Sequence, residues 1–251
     1  ASRWLCACLA AGGGFVLSAE ATPVQYAFNA SGPVTETRGC SYATDSQKLF
    51  PAGLTASGTV TFDPAMAFGG TLPFGVATGA PGSYNVYGGV LPFTVQAGSV
   101  SLASNLGVAV VNNDGFDAGP ISGACTGSPV PLVDAFYLMT SLGVNPTQVG
   151  GIEMTAGDGW NFKLVNVIFS WNETDTDFIS SAALPASLPP PGAGAAEFVL
   201  QFQTPIVLGG GVTQMNQFVR IAALETPAPA TGGLLATALL GLLARARRRT
   251  R

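Results

Sequence analysis

Apolar and polar residues alternate with a period of two along much of this chain. Val24, Tyr26 and Phe28 interleave with Pro23, Gln25 and Ala27, and Val60 and Phe62 interleave with Thr59 and Thr61 in "SGTVTFD". Leu91, Phe93 and Val95 follow the same rule, as do Val100 and Leu102. "LGVAVVNND", "AFYLMTSL", "KLVNVIFSW", "EFVLQF" and "QFVRIAAL" complete the set. A period of two sends one set of side chains into a core and the other toward solvent. Gly69-Gly70, Ala80-Pro81-Gly82 and Asn112-Asn113-Asp114-Gly115 read as the turns between strands. The pattern predicts an all-β body of roughly eight to ten short strands, an antiparallel β-sandwich or jelly-roll-like fold. Val165, Val167, Phe169 and Trp171 are expected to face its core from one central strand. Leu184 to Ala196, "LPASLPPPGAGAA", has no strand pattern and reads as a loop.

Composition agrees with strands and turns rather than helices. Only 10% of the 251 residues are charged, and the chain has 33 Gly and 18 Pro, against a usual quarter charged. Few Lys and Glu leave little to build exposed helices, while 47% apolar residues suffice for a core.

Two segments break the pattern. Residues 1–21 carry one early positive charge, Arg3, then an uncharged run through Ser18, and close on Ala19-Glu20-Ala21. That is the layout of a signal peptide with a small-x-small cleavage site at Ala19 and Ala21. Leu5-Cys6-Ala7-Cys8 has the look of a lipoprotein box, but its cysteine precedes most of the apolar run. At the other end, Thr226 through Ala244 carries no charge, and Arg245, Arg247, Arg248, Arg249 and Arg251 follow it. At about 1.5 Å per residue a helix of this length approaches the roughly 30 Å of a bilayer core. Pro227 and Pro229 shorten its dependable part. The arginines then serve as a stop signal on the cytoplasmic side. The expected layout is a signal peptide over 1–21, an extracytoplasmic domain over 22–225 and a C-terminal transmembrane helix within 226–251.

The Pro-x-Pro motif Pro227-Ala228-Pro229, followed by a short apolar helix and an Arg cluster, resembles the PEP-CTERM sorting signal of Gram-negative bacteria. The resemblance covers Thr226 to Arg251, with Ala228 where the family carries a glutamate. "SGTVTFD" and "FISSAALPASLPPP" before "EFVLQF" also resemble a module of PEP-CTERM proteins. The resemblance implies an exosortase-like sorting enzyme as partner. It implies residence at the inner membrane with the body in the periplasm, or release to the cell surface or extracellular matrix after sorting. It further implies association with exopolysaccharide or biofilm.

Charge and residue inventory narrow the chemistry. Between Thr22 and Glu225 thirteen carboxylates face four cations, a balance of −9, which disfavours nucleic acid as a partner. The chain has no histidine, so Ser-His-Asp and Cys-His catalysis and histidine zinc sites are excluded. Cys40 and Cys125 remain after signal removal and are expected to form a disulfide, as an even pair in an exported chain. Asp114, Asp117, Asp134, Glu153, Asp158 and Glu173 are the candidates for a carboxylate pair acting on a glycosidic bond. As isolated acids beside Gly and Asn, most read more simply as turn formers. Calcium is the candidate ion, with loop oxygens from Asn112 to Asp117 and Asn172 to Asp177; no other cofactor is expected. Tyr84, Tyr87 and Trp160 are candidates for stacking on sugars. The expected function is non-enzymatic, with a carbohydrate- or calcium-binding module and a carboxylate-based glycan hydrolase as alternatives.

Overall fold

In a computed structural model, the described residues are 22–72, 83–116, 132–141, 148–173, 179, 183–190, 195–208 and 211–226. They form thirteen strands and one 3-10 turn, Asp45–Gln47. The strands are β1 (Val24–Ala30), β2 (Val34–Arg38), β3 (Ser41–Tyr42), β4 (Ala56–Phe62), β5 (Ala67–Leu72), β6 (Ser83–Ala97) and β7 (Val100–Phe116). They continue as β8 (Leu132–Met139), β9 (Glu153–Thr155), β10 (Asn161–Glu173), β11 (Ala195–Leu208), β12 (Gly211–Ala222) and β13 (Leu224–Glu225). All pairings are antiparallel, in the order β13-β1-β4-β6-β7-β8-β10-β11-β12-β2-β3, with β5 also on β6 and β9 also on β10. The body is therefore all-β, as its alternation predicts. It is built from one continuous sheet rather than two separate ones.

The sheet doubles back on itself, and aromatic contacts show where. Phe28 on β1 meets Phe169 on β10 edge-on at 4.9 Å and stacks on Phe198 of β11 at 5.5 Å. Phe62 on β4 meets Phe136 on β8 at 5.8 Å. None of these pairs lies on adjacent strands, so the β1–β4–β6 half covers the β8–β10–β11 half. A sandwich-like core fills the space between. Long strands make the turn from one half to the other. The first part of β6 pairs with β5 and its last part with β4, with a register shift between Gly88 and Leu91. The two ends of the sheet also share chain: β1 runs into β2 while β12 runs into β13. The ladder between them bridges the bend through Gly32 N to Ala222 O and Ala222 N to Pro33 O.

Several sequence expectations need correction, and most trace to β-bulges, which insert one extra residue and shift the alternation. Val167, Phe169 and Trp171 face the main core with Phe162 and Leu164, but Val165 does not belong to that cluster. The register of β10 against β11 shifts between Leu164 and Asn166, placing Val165 inside the bulge. Asn166 holds the irregularity: its side-chain oxygen accepts from Thr140 N and Oγ1, and its amide donates to Ser141 O. Gly69-Gly70 lies within β5 at a bulge, where Gly70 has φ of 135°. Asn112-Asn113-Asp114-Gly115 lies within β7, at a register shift against β8. Both were expected as turns. Glycine and asparagine mark backbone irregularity, and a bulge satisfies that signal as well as a turn does.

The runs "AFYLM" and "KLVNVIFSW" are nearly continuous in apolar residues because β8 and β10 are buried on both faces. Phe136 and Leu138 point into the main core. Ala135, Tyr137, Met139 and Ile168 join Val110, Val199 and Phe218 in a second buried cluster on the other face. Leu184 to Pro190 is a loop, as predicted, and Leu188 seals the core rim, but Ala195 and Ala196, expected in the same loop, open β11 by pairing with Asn172 and Trp171. Thr226 ends the described body, buried, its hydroxyl donating to Pro189 O at 3.4 Å.

Candidate functional site

At the β2 end of the core the apolar packing gives way to a polar cluster. Alternation along β2 turns Glu36 inward beside Arg38, and β12 supplies Gln217 from the next strand. Glu36 is 4% exposed. Its Oε1 accepts from Phe50 N at 2.8 Å, and its Oε2 accepts from Leu49 N and Gln217 Nε2, each at 2.8 Å. Gln217 Nε2 also donates to Gln47 O at 2.8 Å, and Gln217 Oε1 accepts from Arg38 Nε at 2.9 Å. Arg38 Nη2 donates to Gln47 O at 2.7 Å. The network ties the segment after the 3-10 turn to two strands of the sheet. A shallow cleft of about 310 Å³ opens above it, lined in part by Glu36, Lys48, Phe50 and Leu54.

The β9–β10 connection completes the cluster. Ala156 N donates to Trp160 O and Gly159 N to Ala156 O, closing a tight turn in which Gly159 takes φ of 87°. The turn delivers Asp158 to Arg38 as an ion pair. It also sets Trp160 and Phe162 under the same guanidinium, whose carbon lies 5.7 Å and 4.9 Å from the two ring centroids. The Arg38 hydrogen bond holds the Asp158 carboxyl below its usual pKa. A lowered carboxyl pKa adds stability above the unfolded value, and that stability is lost as pH falls through the folded value. The melting-temperature gap between wild type and Asp158→Asn should therefore stay constant near neutrality and close only below the ordinary carboxylate range. A gap that closes near pH 6 would show that another group sets it.

The structure brings only part of the sequence-predicted chemistry together. Asp134 is fully buried on β8 and accepts from Ile179 N at 2.7 Å. Glu153 pairs with Lys163 at 3.3 Å, both exposed, and Asp158 pairs with Arg38. These three candidate acids thus engage three separate partners. The side chains of Asp114 and Glu173, and Asp117 entirely, lie outside the described residues. Of the calcium-loop segments, Asn112 to Phe116 is strand β7, and Asn172 donates to Ser170 Oγ at the end of β10. Among the described residues no group of three or more acids or cysteines is placed to hold a metal ion.

Tyr87 is a core residue, 9% exposed and edge-on to Phe68, while Trp160 is 39% exposed; the side chain of Tyr84 lies outside the described residues. Cys40 is disulfide-bonded. Its expected partner, Cys125, lies outside the described residues, as do Ala19, Ala21, Pro227, Ala228, Pro229, Arg245, Arg247, Arg248, Arg249 and Arg251. Among the described residues no helix is long and apolar enough to cross a membrane.

Compared with known proteins, the chain matches no family model, no curated protein and no solved structure.

Glu36 and Gln217 carry no motif that marks them. The available signal was the placement of two charges two residues apart in "VTETR", which puts both on one face of the strand.

Proposed function

We propose that this chain is a non-enzymatic exported protein, carried out by its N-terminal segment and sorted to the cell envelope or extracellular matrix by its C-terminal one. The body is a sandwich, jelly-roll-like domain stapled by a Cys40–Cys125 disulfide. The tail, Thr226 to Arg251, acts as a PEP-CTERM-like sorting signal read by an exosortase-like enzyme at the inner membrane. The matrix reading makes exopolysaccharide the expected partner.

The observation that carries the non-enzymatic reading is how six acids among the described residues are occupied. Glu36 receives three hydrogen bonds, and Asp45, Glu153 and Asp158 each pair with a cation. Asp63 and Asp134 accept from the backbone of Ala65 and Ile179. A general acid and base act as an exchanging pair on one substrate, and each of these six carboxylates instead has a separate hydrogen-bond or ion-pair partner.

Fractionation of the producing cell with intact-mass measurement tests the sorting. Loss of the residues following Pro229 from an envelope or extracellular form is the expected result. An intact Arg251 on protein held in the inner membrane would replace sorting with a plain anchor, and unprocessed protein in the cytoplasm would overturn export altogether.

A further inference from the structure

The tip of the β9–β10 turn carries an indole that the fold covers only in part. Trp160 is 39% exposed, whereas Phe162 beside it is fully buried and lies 6.4 Å away at an interplanar angle of 25°. The Arg38 guanidinium occupies one face of the indole. The Arg38 side chain is only 8% exposed, so the exposure of Trp160 belongs to its other face and its edge. The Trp160 backbone is locked by the Ala156–Trp160 and Gly159–Ala156 hydrogen bonds, and Arg38 is fixed by Asp158, Gln217 and Gln47. A rigid aromatic surface loses little conformational freedom on binding.

We propose that Trp160 and Asp158 form a binding subsite for a neutral pyranose, the indole stacking on the sugar's C–H face and the carboxylate accepting from its hydroxyls. Three observations select this ligand. An open indole face suits a flat, partly apolar ring with a polar rim. The Asp158 side chain is 25% exposed, leaving its oxygens reachable while Arg38 keeps them ionised. The pair Asp158–Arg38 is locally neutral and the body carries a balance of −9, which repels polyanionic glycans. The subsite deepens the matrix reading, but its geometry does not depend on how the chain is sorted.

Titration calorimetry of the full chain with cellohexaose and chitohexaose, with an alginate hexamer as the polyanionic control, tests it. Binding of at least one neutral hexamer is expected, weakened at least tenfold in Trp160→Ala and less in Trp160→Phe, with the alginate hexamer silent. Melting curves of both variants identify unfolding, and Trp160→Phe retains a ring over Phe162 should the alanine variant fail to fold. No heat with either neutral hexamer, unchanged affinity in folded Trp160→Ala, or preference for alginate each overturns the assignment. Failure of sorting in the fractionation experiment, with glycan binding intact, would overturn the matrix reading and leave the subsite standing.

Discussion

Replacing Gly58 with alanine is expected to destabilise the body by roughly 3 kcal/mol or more, since among the described glycines it is the one whose added Cβ would come nearest to another atom. Gly58 sits in the middle of β4, paired with Phe28 on β1 and Val95 on β6. A Cβ at this position would lie 2.0 Å from the Thr94 carbonyl oxygen and 3.0 Å from Phe28 Cε1. The oxygen belongs to the neighbouring backbone and cannot rotate away. Thr94 is held further by its hydroxyl, 2.9 Å from Thr59 Oγ1. Phe28 is packed against both Phe169 and Phe198. The extra methyl must therefore part β4 from β6 or push Phe28 into the core. Gly53→Ala is the matched control. It has φ of 85° with nothing within 4 Å of the added Cβ, so only backbone strain of about 1 kcal/mol is expected. Urea denaturation of both variants compares them directly. A Gly58→Ala midpoint close to that of Gly53→Ala would show that the two strands can separate at little cost.

Glu36→Ala is expected to cost about 3–5 kcal/mol, because three donors lose their acceptor at a position that is only 4% exposed. The backbone N–H groups of Leu49 and Phe50 and the amide of Gln217 all end on this one carboxylate. Its removal releases the segment that brings Phe50 within 6.3 Å of Phe202 and Leu54 into the core. Glu36→Gln keeps the volume but offers one acceptor oxygen and directs an NH₂ at groups that are themselves donors. An intermediate loss is expected, with the order wild type, Gln, Ala in denaturant midpoint. If Glu36→Gln matches wild type, the pocket needs only a filled shape. If Glu36→Ala matches wild type, the network contributes nothing to holding the segment.

These two positions also show what can be read from a chain of this kind. Gly58 lies in "SGTVTFD", where alternation identifies a strand with Val60 and Phe62 inward, and both are in the main core. Periodicity of two is a local property of the covalent chain, so strands, their inward faces and the loop before β11 were legible. The absence of histidine and the low charge excluded whole classes of chemistry for the same reason: they are facts of inventory. The segments at the two ends were read from their charge and hydropathy alone, and their reading stands as a proposal.

What the sequence could not supply is anything that depends on a partner far along the chain. Nothing near Gly58 says that the Thr94 carbonyl lies against it, and nothing near Glu36 says that Gln217 donates to it across 181 positions. Val165 is buried but lies outside the main cluster, because the bulge in β10 is held by Asn166 bonding to Thr140, just past the end of β8. Asp158 and Trp160 in "AGDGW" read as an ordinary turn until β2 brings Arg38 to them. Alternation chose the elements and their buried faces, since it acts between adjacent residues. The doubling of one sheet onto itself, the polar closure of its core and the exposed face of Trp160 were decided only in three dimensions, where long-range contacts settle which inward and outward groups meet.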